Sequence, residues 1–238
     1  MIETARRFLA QKRGSLGTWL ALVALALLGS MPLRAGTPLG FVVTLAVFVL
    51  ASGIVSRDAA SGALQMILAR PILRAEYLLG RFFGGVAAIL LFLASTLVLT
   101  FLLDRAAALA GWTADSVPWG PALRITGEEV PHAVMNLAIL LFFSTFLRGI
   151  GDVLAFLLFG LVFSALPGIF AGLLHRPDLA SLTNAMLQNL APDGAWRDIF
   201  HGGKVLQLAT GQWVLALAGY LLLATLLFNR RELSYGQD

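Results

Sequence analysis

Few residues in this 238-residue sequence are equipped for chemistry, and their spacing excludes most catalysis. There is no cysteine, so disulfides, thiolate metal ligands and cysteine nucleophiles are excluded. The three histidines, His132, His175 and His201, stand far apart with no ligand-spaced partner; no metal site and no catalytic residue is expected from them. No Gly-x-x-x-x-Gly-Lys-Ser/Thr loop occurs, so ATP is not bound by that route. The polar residues that do group together lie in one stretch, SRDAASGALQMILARPILRAEYLLGR, at 56–81. At helical spacing Arg57, Ser61 and Gln65 share one face with Asp58 and Gly62 beside it, while Ala60, Ala63, Leu64, Ile67 and Leu68 form the other. Pro71 ends that helix, because its ring disfavours helix at Arg70 and removes an amide donor. Arg74 and Glu76 follow. The chemistry such a pattern suits is docking: it is either an anchor in the headgroup layer or a surface gripped by a partner. A second short group, Arg148-Gly149-Ile150-Gly151-Asp152, is either another contact point or a solvated turn capped by Asp152.

The elements that position these groups are long apolar runs. Hydrophobic residues make up 58% of the chain and charged residues 13%, with mean hydropathy +0.84. Soluble domains carry roughly 25% charged residues, and a soluble core of this size could not hide so much apolar surface. Uncharged runs at 16–33, 38–56, 82–103, 132–147, 153–174 and 211–229 predict six membrane spans. The run at 132–147 is short for a full crossing. The net charge of +4 lies between these runs, not on a basic–aromatic face, so nucleic acid is excluded as a partner. Eleven of the 17 Lys and Arg residues fall on the side of the N-terminus and six on the other, which predicts both termini in the cytoplasm. A cleaved signal peptide over 1–33 is disfavoured, since no convincing small-residue site follows it.

The segments outside are 104–131 and 175–210, the second with an amphipathic helix from Asp178 to Leu190 that is either a lid or packing. The fifth run carries Gly160, Ser164, Gly168 and Gly172, a small residue every four, which predicts a helix–helix contact and a dimer seam, with a kink at Pro167. Thr44, Ser95, Thr96, Thr100, Asn136, Ser144, Thr145 and Ser164 offer a mildly polar lining within the spans.

The 56–81 stretch resembles the cytoplasmic elbow of type-2 ABC transporter permeases. The residues that carry the likeness are Asp58, Gly62, Leu64 to Leu68, Arg70-Pro71, Arg74, Glu76-Tyr77 and Gly80-Arg81, together with the tail from Phe228 through Asn229, Arg230 and Arg231 to Glu232. One departure is Asp58, where the family more often has the longer Glu. The resemblance implies an all-α membrane protein with the type-2 ABC exporter fold: a single transmembrane domain of six helices with a coupling helix between the second and third. It implies a permease subunit of a bacterial inner-membrane exporter, pairing with a second copy or a homologous permease, and in some relatives with a periplasmic or further membrane component. Two separately encoded ATPase subunits would hold ATP and Mg, with no cofactor on this chain. Docking residues carried over are Arg57, Asp58, Ser61, Gly62, Gln65, Arg70, Pro71, Arg74 and Glu76, with Arg148 and Asp152 as a second contact. The alternative is a membrane anchor or scaffold that moves nothing.

Overall fold

The computed structural model describes residues 16–55, 58, 64, 73–111, 118–147, 151–162, 166–173, 175, 181, 190–192, 196–203 and 207–230. Every regular element among them is helical: α1 Leu16–Ala35, α2 Gly40–Ala51, α3 Arg74–Leu109, α4 Trp119–Ser144, α5 Gly151–Gly160, α6 Leu166–Leu173, α7 Trp196–Phe200 and α8 Leu208–Arg230. The expected coupling helix, Asp58 and Leu64 excepted, and most of the expected helix at 178–190 lie outside the described residues.

Three of the six expected spans are helices both long and apolar enough to cross a membrane: α1, α3 and α8. Their outward faces are apolar, with Leu20, Val23 and Leu28 exposed on α1 and Leu215, Leu222 and Leu223 on α8. The other expected spans take different forms. At 1.5 Å per residue the 12-residue α2 is about 18 Å long, short of the roughly 30 Å hydrocarbon core. Helix α4 begins 13 residues before the expected 132 and takes in Arg124, Glu128 and Glu129. Over the run expected at 153–174 the described residues are helical in α5 and α6, with 163–165 between them outside the described residues. Pro167, where a kink is expected, lies within α6, just after that stretch.

The chain forms two compact units. The first comprises Met1–Ala51 and Leu79–Leu137, the second Ser52–Leu78 and Ala138–Asp238. In the first, Val43, Ala46, Val47 and Leu50 of α2 are buried, as are Ile89 and Leu93 of α3 and Ala133 and Leu137 of α4. Two glycines make the closest approaches: a Cβ on Gly29 would sit 3.1 Å from the Thr96 methyl, and one on Gly85 would sit 2.8 Å from Leu137. Helix α1 closes with the C-terminal motif in which Thr37 N–H reaches Pro32 O at 2.9 Å and Gly36 N–H reaches Leu33 O at 3.3 Å. Helix α2 starts where the Glu129 carboxylate accepts Leu39 N–H at 3.0 Å, which satisfies an amide that helix geometry leaves without a partner. In the second unit the packing is aromatic. Phe142 meets Tyr220 at 5.9 Å and Phe143 meets Phe159 at 6.2 Å, both edge to face, the arrangement that ring quadrupoles favour.

Candidate functional site

Asp58 and Arg74 of the elbow region, and Asp152 beyond it, are held by hydrogen bonds within the second unit. Helix α2 stops at Ala51 and the chain turns through 52–55. Gly53 has φ of 68°, a left-handed conformation that costs an L side chain roughly 1–2 kcal/mol. Its N–H donates to Asp152 Oδ2 at 2.8 Å. Val55 N–H donates to Ser144 Oγ at 3.1 Å. The other Asp152 oxygen accepts Val153 N–H at 2.8 Å at the start of α5, where a carboxylate also opposes the positive end of the helix dipole. Asp152 is fully buried. One carboxylate therefore fixes both the start of α5 and the turn that leads into the elbow.

A second knot forms at the other end of the elbow. The Tyr77 hydroxyl donates to Asp58 Oδ2 at 2.7 Å, within the range of a charge-assisted O–H···O⁻ bond. Tyr77 is fully buried and Asp58 is 4% exposed. The Tyr77 ring stacks on Phe228 of α8, with centroids 5.8 Å apart and planes 22° from parallel. Arg74 Nη1 donates to Phe228 O at 3.1 Å and to Asn229 O at 2.9 Å. A guanidinium there answers carbonyls that a helix C-terminus leaves unbonded and lies at the negative end of its dipole. Asp58, the first turn of α3 and the last turn of α8 are thus tied through three residues, and Leu64 is buried beside no solvent at 0% exposure.

The site residues expected from sequence fall into three groups. Asp58, Arg74 and Asp152 are brought into these ties, with both carboxylates turned into the chain, while Glu76 stands exposed on α3. Arg57, Ser61, Gly62, Gln65, Arg70, Pro71 and Arg148 lie outside the described residues, as does Ser164 of the small-residue ridge. Gly160 and Gly172 are described, and a Cβ on either would meet nothing within 4 Å among the described residues. The surroundings of Gly168 are not described.

Tyr77, Gly53, Ser144 and Glu129 carry contacts that the sequence pattern does not announce. Tyr77 is visible in the sequence as an aromatic residue beside Glu76, but its partner Asp58 lies 19 positions away. The hydroxyls expected to line a route mostly bond their own helices: Ser95 and Thr96 donate to Phe92 O, Thr100 to Thr96 O and Thr145 to Phe142 O. Asn136 Nδ2 reaches Thr44 Oγ1 at 3.4 Å.

These hydrogen bonds join segments far apart in sequence: Asp152 to the turn at Gly53, and Arg74 to the end of α8. Among the described residues no three His, Asp or Glu side chains converge as metal ligands, and His132, His175 and His201 are each exposed. The chain matches no protein-family model and no curated protein.

Proposed function

We propose that this chain is the membrane-embedded permease subunit of an ATP-driven exporter, of the type-2 ABC class, worked by separate ATPase subunits that hold ATP and Mg. The observation that carries the reading is the knot of Asp58, Tyr77, Phe228 and Arg74. In this reading the elbow is the part gripped from the cytoplasm, and both termini lie on that side of a bacterial inner membrane. A push on the elbow reaches the first turn of α3 through the Asp58–Tyr77 bond, and the end of α8 through the ring stack and the Arg74 cap. The 2.7 Å Asp58–Tyr77 bond and the 3.1 Å Arg74–Phe228 bond, buried and half-buried, transmit displacement better than a solvated loop, because packed interiors are dense and yield little.

Within this reading the residues divide their work. Asp58 and Asp152, being buried, set the elbow's position; exposed Glu76 and the elbow residues Arg57, Ser61, Gly62, Gln65, Arg70 and Pro71, with Arg148, meet the ATPase. The open faces at Gly160 and Gly172 suit a second permease copy, since small residues let helices approach closely.

The test is purification from native membranes in mild detergent, followed by reconstitution. The expected result is a co-purifying ATPase whose hydrolysis rises in the presence of this chain. Arg74→Gln frees the terminal carbonyls of α8; it should retain the ATPase and its hydrolysis while transport falls. Recovery of no ATPase, or full transport by the variant, would overturn the reading.

A further inference from the structure

A second polar site lies in the first unit. A cavity of about 280 Å³ opens between α3 and α4, and its walls include Thr100, Phe101, Asp104, Arg105 and Trp119. Phe101 and Trp119 meet at 5.1 Å between centroids and 52° between planes, forming an aromatic wall. The Arg105 guanidinium lies 5.4 Å above the Phe101 ring, within cation–π range, so its position is set by the same wall. The Asp104 side chain is 16% exposed and receives Arg34 Nη2 at 3.4 Å. A carboxylate accepts several donors at once.

Two features choose the ligand. The lining carries one carboxylate and one guanidinium, so it complements a molecule bearing an ammonium and an anionic oxygen a few ångströms apart. A purely anionic group would meet Asp104, and a purely cationic one Arg105. Depth comes next. Residues 82–103 are uncharged, and Asp104 and Arg105 are the first charges after them. On a helix that crosses a bilayer, that transition marks the headgroup layer, where interfacial Trp residues also collect. The cavity sits just below the 300–1,000 Å³ of sites that engulf drug-sized ligands, which suits a headgroup whose chains remain outside.

We propose that the cavity between α3 and α4 binds the zwitterionic headgroup of a primary-amine phospholipid, the ammonium at Asp104 and the phosphate at Arg105. The Phe101–Trp119 wall flanks both contacts. This inference rests on the reading of the chain as membrane-embedded, and does not depend on the ATPase or on transport.

The experiment uses the full chain, delipidated in detergent and titrated with short-chain phosphatidylethanolamine, phosphatidylcholine or phosphatidylglycerol, or with free phosphoethanolamine, and read by native mass spectrometry. One phosphatidylethanolamine should bind per chain, about tenfold more tightly than either other lipid, the size expected for one hydrogen bond to a charged group. Free phosphoethanolamine should compete only weakly; equal affinity would make the source a soluble zwitterion and overturn the lipid assignment. Asp104→Asn should erase the preference for ethanolamine over glycerol headgroups, and Arg105→Gln should weaken both lipids alike. Arg34→Gln removes the Asp104 ion pair while leaving the cavity wall intact, so it should keep the preference and separates loss of the site from loss of the fold. Equal binding of all three lipids, or an unchanged preference in Asp104→Asn, would overturn the inference. A chain that does not enter lipid nanodiscs would instead overturn the membrane reading.

Discussion

Removing one oxygen from Tyr77 tests the elbow knot most directly. In Tyr77→Phe the ring remains, and with it the stack on Phe228 at 5.8 Å. What is lost is a 2.7 Å bond to Asp58 between two groups at most 4% exposed. Hydrogen bonds to a charged partner contribute about 1.5–3 kcal/mol, so a loss near 2 kcal/mol is expected. For a chain of this size each kcal/mol moves Tm by about 2–4 °C, giving a fall of about 4–8 °C. The Asp58 carboxylate, left buried with one donor fewer, is the larger part of that cost. Asp58→Asn weakens the same bond from the other side.

The assay is reversible unfolding in detergent of the wild type, both single variants and the double variant, combined as a double-mutant cycle. The expected coupling energy is about 1.5–3 kcal/mol. Glu76→Ala, one residue before Tyr77 but exposed, is the control, with a change within about 0.5 kcal/mol. A coupling energy below about 0.5 kcal/mol would refute the reasoning, because independent sites add to within that margin. So would a Tyr77→Phe variant as stable as wild type.

Four other perturbations follow from single positions. Gly85→Ala places a methyl 2.8 Å from Leu137 Cδ2, and Leu137 is fully buried; overpacking of about 1–3 kcal/mol should appear as a lower Tm. At Gly160 the same change meets open space and should leave the monomer as stable or up to about 1 kcal/mol more so, with any weakening confined to self-association. Glu129→Ala leaves the buried Leu39 N–H without its acceptor, a cost of about 1–3 kcal/mol, read as faster hydrogen exchange at the start of α2; Glu129→Gln, which keeps an acceptor, should lose less. Gly53→Ala forces an L residue to φ 68° and should cost about 1–2 kcal/mol by denaturation in detergent.

The helices α1, α3 and α8 are legible as apolar runs. The start of α4 is not legible, because a hydropathy reading charges Glu129 its full desolvation cost. In the fold that carboxylate is 8% exposed and caps α2 across 90 residues of sequence; a bonded carboxylate costs far less to bury than a bare one. The same reasoning separates what was visible at the elbow from what was hidden. A carboxylate between two apolar runs reads as solvated, so Asp58 and Asp152 read as surface for a partner. Their fates are decided by donors that no local pattern displays: a tyrosine hydroxyl at 19 residues' distance and a glycine amide at 99. The hydroxyls within the spans are settled locally instead. The nearest acceptor for Ser95, Thr96 or Thr100 is a carbonyl three or four residues back on its own helix, a satisfaction every helix offers. Sequence pattern thus reads local periodicity well, and it misplaces polar side chains whenever a distant partner or the side chain's own backbone settles their hydrogen bonds.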